Sequence, residues 1–154
     1  MPDQLPLIRA ANRADVARIR AIARQAYGKY LPRLGREPEP MGADYDAEVS
    51  AHRVVVIEVA GEIIGYMVAR PEASAYFIDN IGVEPRFQGS GLGRRLIEHA
   101  ATEAARLDLP ALRLYTNAMM FENLAMYAHL GFVETHRMTE KGFHRIYMRR
   151  SLAE

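Results

Sequence analysis

Residues 81–95 read Ile81-Gly82-Val83-Glu84-Pro85-Arg86-Phe87-Gln88-Gly89-Ser90-Gly91-Leu92-Gly93-Arg94-Arg95, an apolar stretch that passes through a glycine turn directly into a helical pattern. Glycines at 89, 91 and 93 keep Cβ atoms away from an approaching ligand, and the first N–H groups of a new helix turn partial positive charge toward it. Phosphate oxygens are the guest this chemistry suits. The plainer alternative, a tight strand-to-helix joint, does not account for the backbone entropy that three alternate glycines carry. A nucleotide triphosphatase loop ends in Gly-Lys-Ser/Thr; Gly93-Arg94-Arg95 lacks both the lysine and the magnesium-binding hydroxyl. A dinucleotide fingerprint needs G-x-G-x-x-G inside a βαβ unit, whereas here the spacing is G-x-G-x-G and hairpin patterns precede it.

The segment resembles motif A of the GCN5-related N-acetyltransferases (GNAT), Q/R-x-x-G-x-G/A, and fits it twice, as Arg86-x-x-Gly89-x-Gly91 and as Gln88-x-x-Gly91-x-Gly93. Asn123 and Tyr127, followed by Leu130-Gly131-Phe132, resemble motif B, and four residues on a helix put both side chains on one face. The order of predicted elements follows the family over nearly the whole chain. The resemblance implies an α+β GNAT fold: a mixed, mostly antiparallel sheet of about seven strands with four helices, splayed between strands 4 and 5. It implies acetyl-coenzyme A as cosubstrate and no metal. The acetyl group would pass to a primary amine, of a small molecule, by direct attack on the thioester. A peptide amine, or a non-catalytic acyl-CoA sensor of the same fold, is the alternative. By the same resemblance the pantetheine arm lies along Ile81, Gly82 and Val83, where a backbone N–H would also hold the oxyanion. Gln88, Gly89, Ser90, Gly91, Leu92, Gly93 and Arg94 would contact the phosphates, with Asn117 and Asn123 near the thioester.

Amine attack needs a neutral amine, an oxyanion stabiliser and a proton for the departing thiolate. Tyr127 is the candidate acid, against the reading of an amphipathic core tyrosine. Asp79, on the strand leading into the glycine turn, is the candidate base; Glu122 or water could serve instead. Asn117 ends a strand, where asparagine is also an ordinary turn former. Arg95 competes with Arg94 for the phosphates, and both could simply be solvated. His136 and His144 read as surface or packing residues of a terminal hairpin. Residues 35–48 fall where this family builds its acceptor pocket, and their acidic members, Glu37, Glu39, Asp44, Asp46 and Glu48, suggest a cationic acceptor or else a solvated loop.

These groups must be positioned by a chain of 154 residues, 49% hydrophobic and 25% charged, the size and composition of one domain, 1–154. A net charge of +1 without a dense basic block gives no electrostatic footprint for nucleic acid. With no cysteine, disulfides, thiolate metal sites and cysteine nucleophiles drop out, and a cytoplasmic location is compatible. The first residues lack a basic-then-apolar leader and no apolar run reaches the ~18 residues of a membrane span, so the chain reads as soluble and unprocessed. Pairing into homodimers, frequent in this fold, stays open. The patterns predict a first strand over 5–9, a helix to about residue 30, and a loop with four prolines or glycines over 31–40. A short helix over 43–50, a hairpin of 53–59 with 63–69 and a strand over 75–83 follow. Beyond the glycine turn come a helix to about residue 108, a strand over 111–115, a helix over 121–130 and a hairpin of 132–138 with 143–149.

Overall fold

Asn12 opens the first helical segment with a reciprocal cap: its Oδ1 accepts from the Ala14 N–H at 2.9 Å, and Asp15 Oδ2 accepts from the Asn12 N–H at 2.8 Å. The computed structural model describes residues 5–152. In α1 (Val16–Tyr27) the residues spaced by three and four, Val16, Ile19, Ile22, Ala23, Ala26 and Tyr27, are the buried ones, and a 3-10 turn carries the helix on to Tyr30. Further along are α2 (Leu31–Leu34), α3 (Tyr45–Ser50), α4 (Leu92–Arg106) and α5 (Phe121–His129). The predicted loop over 31–40 is thus partly helical. Pro32 sits in the first turn of α2, where its missing N–H loses no bond, and Gly35 at φ 73° ends that single turn. Four longer helices remain among the described residues, as expected.

Seven strands form a sheet in the order β1-β2-β3-β4-β5-β7-β6: β1 (Leu7–Ala10), β2 (Val54–Val59), β3 (Glu62–Pro71), β4 (Tyr76–Val83), β5 (Ala111–Asn117), β6 (Val133–Glu140) and β7 (Phe143–Ser151). Two compact units make up the chain. One runs to Val68 and includes Asn80–Leu96; the other is Ala69–Asp79 with the chain from Ile97 onward.

In the first unit β1 pairs antiparallel with β2, Leu7 opposite Glu58, and β2 with β3, Val54 opposite Val68, through the two-residue turn Ala60–Gly61. The apolar side of α1 packs with Tyr45 of α3 onto Val54, Val56, Tyr66 and Val68. Burial of that apolar surface is what holds the helices to the strands.

In the second unit β5 lies antiparallel to β7, Ala111 opposite Ser151, and β7 antiparallel to the edge strand β6. The one parallel register described, Tyr76–Ile78 of β4 against Leu112–Leu114 of β5, occupies the start of both strands. β4 itself runs on to Val83 and β5 to Asn117, which is where strands 4 and 5 are expected to part. Among the described residues no helix is long and apolar enough to cross a membrane.

Candidate active site

The glycine turn lies in the first unit as one continuous segment. Gly89 and Gly91 take φ of 84° and 88°, the left-handed region that side-chain-bearing residues avoid, and a Cβ at either would meet nothing within 4 Å. Conformation, not crowding, therefore demands glycine at these two positions, with open space above them. They are the two glycines of the Arg86 frame of the motif; Gly93 is already inside α4. The Arg95 N–H donates to the Gly91 carbonyl at 3.1 Å, so Gly91 is the helix cap and the N–H groups of Leu92, Gly93 and Arg94 have no intrahelical acceptor. Leu92 turns into the core, while Arg94 and Arg95 are exposed and form no ion pair with described residues.

Arg86 is otherwise engaged. Its guanidinium bonds the buried Glu84 carboxylate and reaches Glu62 at 2.7 Å, and Arg18 of α1 bonds Glu84 from the other side. Burial pushes the Glu84 carboxyl upward, but the hydrogen bonds from Arg86 and Arg18 outweigh it and hold the group below the ordinary carboxylate range. The two arginines thus neutralise the carboxylate that stands before the anion cradle. Ser90 Oγ donates to the Phe87 carbonyl and Gln88 Nε2 to the Val83 carbonyl at 3.2 Å, so both side chains brace the turn.

Just past the end of β4 the Glu84 N–H donates to the Ile64 carbonyl of β3 at 2.9 Å; alternation back along the strand therefore points the backbone groups of Ile81 and Val83 toward the opposite edge. The Ile81 carbonyl there accepts from Tyr27 Oη at 2.6 Å. Gly82 has no room for a side chain: a Cβ would lie 2.3 Å from Tyr66 Cε1. Tyr27, Tyr66 and Asn80, which line this stretch, carry no site reading in sequence, and Tyr45 carries one only as a member of the 35–48 segment. Tyr27 falls in the apolar period of α1 and reads there as core alone.

The second unit gathers Asn117 and Asn123 around Met120. Asn117 Oδ1 accepts from the Met119 N–H at 2.9 Å, the turn-forming role, and its carbonyl accepts from the Met120 N–H at 2.9 Å. Asn123 Nδ2 donates to Met120 Sδ at 3.7 Å. Tyr127 is buried one turn later, its ring edge-on to Phe132 with centroids 5.7 Å apart. Asp79 is half-buried, 3.9 Å from an Arg70 nitrogen. His136 stacks on Tyr147 at 4.5 Å, and His144 Nδ1 lies 2.9 Å from Thr139 Oγ1, so both histidines have packing or hydrogen-bonding roles in the hairpin. No described group of three His, Cys, Asp or Glu residues is placed to hold a metal ion. Tyr147 Oη and Arg145 both donate to Glu140 Oε1, at 2.5 and 2.9 Å, and hold that carboxyl below its ordinary range.

The acidic segment is largely committed to structure. Asp44 caps α3 by accepting from the Ala47 N–H at 3.0 Å, Asp46 pairs with Arg20 at 2.9 Å and Glu48 with Arg53 at 3.4 Å. Three of the acidic side chains that suggest a cationic acceptor in sequence, Asp44, Asp46 and Glu48, are thus held by a helix cap or by arginines.

A glycine-capped helix following directly on a strand edge is matched by sequence: residues 50–134 fit the domain family described as the acetyltransferase (GNAT) domain. The chain belongs to the GNAT acetyltransferase family. Acetyl-CoA is the cosubstrate of this family. The GNAT relative N-alpha-acetyltransferase RimI of Mycobacterium tuberculosis is 30% identical over 130 residues, 81% of this chain and 77% of its own. Mycothiol acetyltransferase of Jonesia denitrificans is 32% identical over 88 residues, 56% of this chain, and the match spans 28% of that longer relative. In structure, the PaiA N-acetyltransferase of Thermoplasma acidophilum in complex with coenzyme A superposes with a TM-score of 0.79 at 15% identity, covering 96% of this chain and 99% of that one, a likeness of fold.

Proposed function

We propose that the chain works as a single N-acetyltransferase domain, residues 1–154, which moves the acetyl group of acetyl-CoA to a primary amine. The observation that carries this reading is the cradle, with its two left-handed glycines, the N–H groups of Leu92, Gly93 and Arg94 that have no intrahelical acceptor, and beside them Arg94 and Arg95, which form no ion pair with described residues. The pyrophosphate takes those N–H groups and Arg94. The pantetheine arm lies along the Ile81 to Val83 edge of β4, where a backbone N–H receives the oxyanion. Asn117, its Oδ1 used in the turn, keeps its amide N–H groups for the ligand, and Asn123 is the second contact. The amine nitrogen attacks the thioester carbonyl, the C–S bond breaks, the ammonium proton goes to Asp79 or water, and Tyr127 protonates the thiolate.

Two acceptor classes stand open. The relative named an N-alpha-acetyltransferase matches along most of both chains, which supports a peptide α-amine. The small-molecule amine expected from the sequence is the second, and the mycothiol relative supports it. The cytoplasm is the compartment that fits the cysteine-free composition. Calorimetry tests the reading: acetyl-CoA binds at one site per chain, and fragments lacking the pyrophosphate bind far more weakly. No binding at high micromolar acetyl-CoA would sink it.

A further inference from the structure

Glu84 stands between the end of β4 and the 3-10 turn Pro85–Phe87, and its backbone and side-chain polar groups are all bonded. Its N–H donates to the Ile64 carbonyl of β3 at 2.9 Å, and its own carbonyl accepts from the Phe87 N–H at 2.8 Å. Its carboxylate is buried, with Arg18 of α1 donating to Oε2 and Arg86 donating to Oε1. A buried carboxylate is tolerated only when paired in this way. Arg18 also donates to the Ile63 carbonyl at 3.0 Å, so the carboxylate is tied to helix and strand at once. Arg86 carries the tie forward: its guanidinium reaches Glu62 at 2.7 Å and lies over the Phe87 ring, 4.8 Å from the centroid. The Phe87 carbonyl accepts from the Ser90 N–H at 3.3 Å and from Ser90 Oγ. Ser90 stands between Gly89 and Gly91, the two left-handed glycines. An unbroken run of contacts therefore leads from the buried carboxylate to the cap of α4.

We propose that Glu84 is a positioning residue for acetyl-CoA: its carboxylate, gripped by Arg18 and Arg86, holds residues 85–91 in the shape that presents the N–H groups of Leu92, Gly93 and Arg94 to the pyrophosphate. The inference rests on the acetyl-transfer reading above and adds the device that sets the cradle. Charge alone would act the other way. A carboxylate near an anion site repels phosphate, so if Glu84 were no more than a charge, Glu84→Gln, which keeps the shape, would tighten acetyl-CoA binding. As a positioning residue it weakens binding on the same substitution, because an amide offers one acceptor oxygen to the two guanidinium groups where the carboxylate offers two. The two roles thus differ in sign.

Calorimetry with acetyl-CoA and hydrogen exchange over residues 86–91 compare wild type with Glu84→Gln, Arg86→Gln, the double variant and Asp15→Asn. Asp15→Asn is the control for lost stability, since it discharges another buried carboxylate of the first unit, one bonded to Arg9 and outside the cradle. Glu84→Gln is expected to lose protection over 86–91 and to raise the acetyl-CoA Kd by roughly two- to thirtyfold, the range for residues that act on a site without touching its ligand. Arg86→Gln is expected to do the same, and the double variant to match the weaker single variant within about twofold, because both substitutions break one link. Asp15→Asn is expected to keep Kd within about twofold of wild type even where its melting temperature falls. Unchanged or tighter binding by Glu84→Gln would overturn the proposal. Equal weakening by Asp15→Asn would overturn it by showing a merely structural role, and effects that multiply in the double variant would do so by showing that Arg86 acts independently of Glu84. If Glu84→Gln does not fold, Arg86→Gln decides, since that side chain is exposed: unchanged protection over 86–91 would overturn the link. Wild-type protein that fails to bind acetyl-CoA would instead refute the acetyl-transfer reading, and with it the positioning role.

Discussion

Gly82→Ala adds one methyl group at the most crowded point of β4. The new Cβ would stand 2.3 Å from Tyr66 Cε1, 2.9 Å from Cζ and 3.0 Å from Oη, against about 3.5–4.0 Å for relaxed carbon contacts, so the ring or the strand must move by roughly 1 Å. Tyr66 is fully buried against Tyr45 and cannot swing into solvent. Overpacking of this kind costs about 1–3 kcal/mol. For a chain of this length that converts to a fall in melting temperature of roughly 2–12 °C. A double-mutant cycle in denaturant gives the cause: in a Tyr66→Ala background the obstructing ring is gone, so Gly82→Ala should cost at least about 1 kcal/mol less than in wild type. Additivity within about 0.5 kcal/mol would mean that Tyr66 does not define the space over Gly82, and the packing argument for β4 would fail.

Gly91→Glu, at φ 88° and in open space, should leave a folded protein with acetyl-CoA binding abolished in calorimetry, because a carboxylate replaces room for phosphate. Tyr127→Phe keeps the ring against Phe132, so melting temperature and acetyl-CoA affinity should hold while turnover falls at least about tenfold; near wild-type turnover with chemistry rate-limiting would remove the tyrosine from the mechanism. Asp15 is held below its ordinary range chiefly by the hydrogen bond from Arg9, so its contribution to stability is present above the unfolded carboxyl's pKa and is lost as pH falls through the lowered folded value. Melting curves between about pH 6 and 2 should show a loss of stability on the acid side that is smaller in Asp15→Asn; identical acid limbs would contradict the assignment.

Periodicity located most of the frame because it reports burial directly. Val16, Ile19, Ile22, Ala23 and Tyr27 drew α1, and Gly89 and Gly91 drew the cradle, since a left-handed turn leading into a helix leaves few residue choices. What stayed hidden depends on where a side chain's polar end goes across the fold. Nothing in the chain order tells that Tyr27 reaches Ile81, 54 positions away, or that Tyr45 ties Pro40 to Tyr66. The acidic run over 37–48 looked like a pocket because sequence cannot separate a carboxylate that caps a helix, as Asp44 does, from one that awaits a ligand. Pro32 read as a breaker, yet in a first turn it is a helix starter.

The central claim is acetyl transfer itself, and mass spectrometry of the acceptor after incubation with purified protein and acetyl-CoA tests it most directly. The account predicts an amine product heavier by one acetyl group, formed in step with free coenzyme A thiol and absent with Gly91→Glu. Acetyl-CoA bound at the cradle with no acetylated product from any peptide or small amine offered would contradict it and leave a binding module of the GNAT fold.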